Sequence, residues 1–188
     1  MEIDRSIDAR TLAVALVCAG GGDLLPRGDR LAALLTRLRS GELFTATLRG
    51  ARVEASADPV TITREPGELT RRPSPPLLLS PGVETVWDGR WAITASGPDW
   101  SVVPAAGRLA ALSDADRALL KTLPASARAS QPVLIRNESG APVLARTGAR
   151  VRSLVEERLA LALDRMTHER DLGAVFHGET LRNPLFST

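Results

Sequence analysis

The chain has 188 residues, 44% hydrophobic and 24% charged, with 24 basic and 22 acidic side chains leaving a formal net charge of +2. That balance excludes wholesale disorder and fibrous or coiled-coil repeats, and the length suits one domain or two small ones. The longest apolar run, Leu12 to Gly22, falls short of the ~20 residues that span a bilayer, so no membrane partner is expected.

The opening residues, MEIDRSIDAR, are acidic and lack the basic start of a signal peptide. Asp8 then caps a first helix on which Leu12, Ala15, Leu16 and Ala19 recur at helical spacing. Its lone cysteine, Cys18, reads as a small buried hydrophobe; a single thiol can form neither an internal disulfide nor a Cys-rich zinc site, which points to a reducing, cytoplasmic setting. Gly20-Gly21-Gly22 ends this helix. Pro26 and Asp29 introduce a second, over residues 29–39, with Leu31, Leu34, Leu35 and Leu38 in one stripe and Ser40-Gly41 as the stop. The period then shortens. Phe44 to Leu48, Ala51 to Ala55 and Val60 to Arg64 predict a three-stranded meander, turning first at Arg49-Gly50.

Residues 66–82 hold five prolines and read as an extended connector between a unit over 1–65 and another over 83–170. The second unit opens with a hairpin over Val83 to Ala95. A two-residue Asp88-Gly89 turn predicts that Trp87 pairs with Arg90, placing Val86, Trp91 and Ile93 in the core and Trp87 and Arg90 on an outer face. Ser101 to Val103 is a strand, and Ser113 caps a helix that carries Asp114 and Asp116 early, Lys121 late, and Pro124 beyond its end. Val133 to Arg136 and Val143 to Arg146 predict another hairpin. Val151 to Glu169 predicts a last helix, and residues 171–188 form a tail without usable periodicity. The fold class is therefore α+β: a helical hairpin with small antiparallel β-structure, then a β-hairpin-rich part with two helices.

Catalytic chemistry is sparse. Ala19-Gly20-Gly21-Gly22-Asp23-Leu24 overlays the pyrophosphate-loop pattern Ser-Gly-Gly-x-Asp-Ser, but both serines are missing and Pro26 interrupts the helix that should begin there. The run is read as a helix cap and interhelix turn. His168 and His177 stand at no spacing that makes a metal or nucleophile site with Cys18 or a carboxylate, and Glu156 and Glu157 point to different helix faces. No catalytic or metal-binding residue is assigned.

Nucleic-acid binding stays open. All basic residues but Lys121 are arginine, which either suits phosphate or reflects a genome rich in G and C. Residues 27–52 carry Arg27, Arg30, Arg37, Arg39, Arg49 and Arg52 against Asp29 and Glu42, a local positive excess on a balanced chain. Three Phe, three Trp and no Tyr do not supply an extended stacking platform, so contacts would run through phosphate. Arg27, Arg30 and Arg37, then Arg49 and Arg90, are the candidate RNA-binding residues; the alternative is that these are solubilising surface arginines.

The order of these motifs resembles the C-terminal part of bacterial tRNA(Ile)-lysidine synthase, over roughly residues 3–150. The segments that carry the resemblance are LPRGDRLAALLTRL, TREP and VWDGRW, with Leu123-Pro124 and Arg128 to Leu134 behind them. The resemblance implies a family that uses ATP and Mg to adenylate the wobble cytidine of a minor isoleucine tRNA before lysine attacks. That chemistry belongs to an N-terminal ATP-pyrophosphatase-type domain, which this chain is expected to lack; none of those cofactors is expected here. The implied role is tRNA recognition without catalysis in isolation. An alternative is an interaction module whose VWDGRW hairpin and last helix dock a separately encoded catalytic domain or another copy of the family.

Overall fold

The computed structural model describes residues 1–164 other than 57–58, 72, 74 and 137–139. Helix α1 (Ala9–Gly20) starts where expected: the Asp8 carboxylate accepts from the backbone N–H groups of Arg10 and Thr11, and Gly21 closes the helix at φ 70°. Every α1 residue from Leu12 to Gly20 is buried, Cys18 included. Helix α2 (Asp29–Arg39) buries only its leucine stripe, Leu34, Leu35 and Leu38, as its amphipathic spacing requires. Both helices cover one face of a sheet in the order β1-β4-β3-β2, built from β1 (Glu2–Ile3), β2 (Phe44–Leu48), β3 (Ala51–Ala55) and β4 (Val60–Arg64). Alternate residues Ala51, Val53 and Ala55, with Val60 and Ile62 opposite, fill the space beneath the helices. The meander is borne out strand for strand; the short β1 on its edge was not foreseen.

The segment 66–82 is less bare than its prolines imply. It holds helix α3 (Pro66–Arg71) and strand β5 (Leu77–Leu78), which pairs with β8. Proline is at home in the first turn of a helix, where its missing N–H costs nothing, so Pro66 starts structure here rather than breaking it.

Beyond it lie β6 (Thr85–Trp87), β7 (Trp91–Ala95), β8 (Trp100–Pro104), α4 (Asp114–Lys121), α5 (Ala125–Arg128), β9 (Pro132–Arg136), β10 (Val143–Leu144), α6 (Ala145–Gly148) and β11 (Ala149–Ser153), then helical residues 155–164. They form two sheets, β10-β9-β8-β5 and β11-β7-β6. Trp87, Trp91, Ile93, Val102 and Leu134 pack between these sheets, while Val103, Val133 and Ile135 pack with Leu120 of α4 on the other face of β8-β9. Coverage of both faces explains why Val133-Leu134-Ile135 is apolar without alternation.

Two expectations are corrected. The Asp88-Gly89 hairpin pairs Trp87 with Trp91, not with Arg90, so its loop has three residues and Trp87 turns inward while Val86 is 56% exposed. A one-residue change of register moves a side chain to the opposite face. The last helix does not begin at Val151: residues 149–153 instead pair antiparallel with β7 and close its free edge, and the helix runs from 155. Its expected end at Glu169, His168, His177 and the tail lie outside the described residues, as does the turn at 137–139.

Candidate nucleic-acid interface: an arginine-lined cleft

A cleft of about 660 Å³ opens beside the end of α1, lined by Arg27, Arg30, Arg49 and Arg64 with Asp23 and Glu68 as its carboxylates. Four arginines reach it from three places in the chain. Arg27 and Arg30 bracket Gly28, the N-cap of α2, which offers no side-chain oxygen to the first turn. The positive end of that helix dipole thus lies among the same cations. Arg49 sits at the β2–β3 turn, where φ is 53° at Arg49 and 74° at Gly50, the left-handed pair that a tight two-residue hairpin demands. Arg64 ends β4.

These arginines divide by duty. Arg49 donates to the Leu25 carbonyl at 2.9 Å and straps down the loop that carries Arg27. Arg64 is engaged on three sides: Nε and Nη2 each reach the Asp88 carboxylate at 3.1 Å, and Nη1 donates to the Gly50 carbonyl at 2.9 Å. Arg27 and Arg30 are exposed and have no ion pair or hydrogen bond among the described residues, so their forks face solvent.

The candidate residues read from the sequence therefore separate. Arg27, Arg30 and Arg49 come together. Arg37 lies elsewhere: its Nε and Nη2 grip Glu42 at 3.0 and 2.6 Å, and its guanidinium stacks 4.1 Å from the Phe44 ring centroid. That hydrogen-bonded pairing holds the Glu42 carboxyl below its ordinary range and raises Arg37. Arg90 is buried, 5% exposed, donating to Asp88 and to the Ser130 carbonyl, both at 2.8 Å. Desolvation lowers its pKa while the Asp88 charge opposes that shift. Arg64 is the member that sequence reasoning missed. Its signal was the Thr-Arg-Glu-Pro segment, read there as the end of a strand.

The glycine run forms part of the cleft wall but not as a phosphate loop. Phosphate loops place glycines before a helix, where N–H groups converge; here the glycines follow α1, at its carbonyl end. Gly21 is also occluded, since a Cβ there would lie 2.2 Å from the Asp88 carbonyl oxygen. The glycine run therefore presents no converging N–H groups to a triphosphate. Among the described residues no His, Cys, Asp or Glu cluster suits a metal ion, and no helix is long and apolar enough to cross a membrane.

The chain is 42% identical over 178 residues to tRNA(Ile)-lysidine synthase of Caulobacter vibrioides, a match covering 90% of this chain and 43% of that protein. It is homologous to part of a tRNA(Ile)-lysidine synthase. The chain spans less than half the length of this relative. No family model matches the sequence, and no solved structure matches it. The three segments that carry the likeness to tRNA(Ile)-lysidine synthase meet in space: Arg27 and Arg30 from the first, Arg64 from the second, and Asp88 and Arg90 from the third.

Proposed function

We propose that this chain is a tRNA-gripping part of the lysidine-synthase type, which holds the RNA backbone through the Arg27–Arg30–Arg49–Arg64 cleft and carries out no nucleobase chemistry of its own. The observation behind this reading is the pair of unpartnered, exposed guanidiniums at Arg27 and Arg30, beside the uncapped start of α2. Planar forks in that setting suit phosphate oxygens, and the cleft holds four such cations against two carboxylates. Its partner is tRNA and its setting the cytoplasm, where tRNA is modified. ATP and Mg would act in a catalytic part of such an enzyme, not on the residues described here.

The test is a filter-binding titration with an unmodified isoleucine tRNA transcript over a range of salt. Arg27→Ala with Arg30→Ala is expected to weaken binding and to flatten the plot of log affinity against log salt by about two units, roughly one for each lost phosphate contact. An unchanged slope would remove the cleft from the interface. Arg37→Ala serves as a comparison at the same net charge change per residue. Its guanidinium is already spent on Glu42 and Phe44, so a much smaller effect is expected.

A further inference from the structure

We infer that Asp88 is a positioning residue for this cleft: it does not line the cleft, yet it fixes the arginine edge that does. The inference rests on the cleft being the RNA-contact surface. Asp88 stands in the β6–β7 loop at φ 50°, a left-handed conformation that aspartate tolerates better than most residues. Its carboxylate joins two guanidiniums. Arg90, pinned at its far side by the Ser130 carbonyl, holds it from one direction, and Arg64 holds it from the other with a two-pronged contact. All three side chains are at least 88% removed from solvent, with exposures of 12% for Arg64, 10% for Asp88 and 6% for Arg90.

A chain of contacts links Asp88 to the cleft. With two of its nitrogens on Asp88, Arg64 can present Nη1 to the Gly50 carbonyl in one direction only. The β2–β3 turn lies flat on that guanidinium: a Cβ on Gly50 would come within 2.4 Å of Arg64 Nη1. The neighbour of Gly50 is Arg49, which straps the Leu25 carbonyl and so the loop leading to Arg27. One carboxylate thereby orders Arg64, the turn bearing Arg49, and the approach to Arg27. A planar fork pre-set in this way loses less freedom on meeting phosphate than a mobile one.

The sign of one substitution separates positioning from simple charge. Asp88→Asn deletes a negative charge next to a cation-lined cleft. Were charge all that mattered, tRNA would bind more tightly. Were Asp88 positioning the edge, the released Arg64 and slackened turn would weaken binding, on the order of tenfold as for other residues that act through a neighbour. Asp88→Glu keeps the charge and moves it by one methylene, so positioning again expects weaker binding and charge alone expects none.

Both variants are measured in the full chain against the same tRNA transcript, with near-ultraviolet circular dichroism confirming the parent fold. Loss of affinity in the Asn variant, with a salt slope shallower by about one, supports the inference. Equal or tighter binding overturns it. Should the Asn variant fail to fold, the Glu variant decides: weaker binding supports the inference and parent affinity overturns it. Arg27→Ala with Arg30→Ala is run beside them. If that pair changes nothing, the cleft reading has failed; if it weakens binding and the Asp88 variants do not, only the positioning role has.

Discussion

Gly21 and Gly22 are neighbours in sequence and opposite in constraint. Gly21 combines φ 70° with a carbonyl of Asp88 that would lie 2.2 Å from any Cβ, whereas a Cβ on Gly22 would meet nothing within 4 Å. Gly21→Ala is therefore expected to cost about 2 kcal/mol or more, from left-handed strain plus displacement of the β6–β7 loop, lowering the thermal midpoint by roughly 4–8 °C. Gly22→Ala is expected to stay within about 0.5 kcal/mol of the parent. Differential scanning calorimetry of the two variants checks both statements, and equal midpoints would show that the close approach of Gly21 to Asp88 is not a fixed contact. The glycine run could be read from the sequence as a turn. What it turns against could not, because Asp88 lies far along the chain and only the fold brings its carbonyl there.

Elements were legible where a local pattern decided them and illegible where a distant partner did. Asp8, the α2 leucine stripe and the β2–β4 alternation are local, and each appears where the spacing puts it. The β6–β7 register is not local. Asp88-Gly89 alone favours a two-residue loop, but Arg90 is drawn inward by Asp88 and by the Ser130 carbonyl, which adds a third loop residue and turns Trp87 into the core. The same distance hides Asp116, which looks like a first-turn helix acid. It is buried and accepts from the Leu144 N–H at 3.0 Å and the Thr147 hydroxyl at 2.9 Å, tying α4 to β10 and α6. Val151 fits a helical stripe as well as a strand, and the free edge of β7 decides for the strand.

The α1 cap permits a quantitative check at this scale. The Thr11 hydroxyl and backbone N–H hold the Asp8 carboxyl below its ordinary value of 3.8. A carboxylate depressed in the folded state stabilises fully above its unfolded value and loses that contribution as pH falls through the folded one. Asp8→Ala should thus cost about 1 kcal/mol near neutral pH, the usual worth of an N-cap, with the gap to the parent closing below pH 3.8. Asp8→Asn, which caps without titrating, should show a smaller deficit at neutral pH. Urea denaturation of the three proteins across pH reads this out; a gap for the alanine variant that persists at low pH would mean the cap does not work through its charge.

At the scale of the molecule, the parts before and after residues 66–82 meet at a joint of backbone and charge. Gly21 lies against the Asp88 carbonyl, and Gly89 against the Gly21 carbonyl. Arg64, Asp88 and Arg90 seal one side, while Arg158 from residues 155–164 donates to the carbonyls of both Gly22 and Gly89 at 2.5 and 2.6 Å. Such a joint should make the two parts unfold together, even though a proline-rich segment separates them in sequence. The chain carries its own reporters. All three tryptophans, Trp87, Trp91 and Trp100, lie after the segment, and the one cysteine, Cys18, is buried in α1 before it. Burial raises the Cys18 thiol above its ordinary pKa, which keeps it protonated and unreactive until α1 is exposed. Tryptophan fluorescence and Cys18 labelling, followed through the same urea gradient, are expected to give one midpoint. Because the joint depends on Asp88, the Asp88→Asn variant is expected to pull the midpoints apart, with one part unfolding at lower urea than the other. Coincident midpoints in that variant would locate the coupling in the glycine contacts alone, and separate midpoints in the parent would show two parts that fold independently and meet only loosely at the cleft.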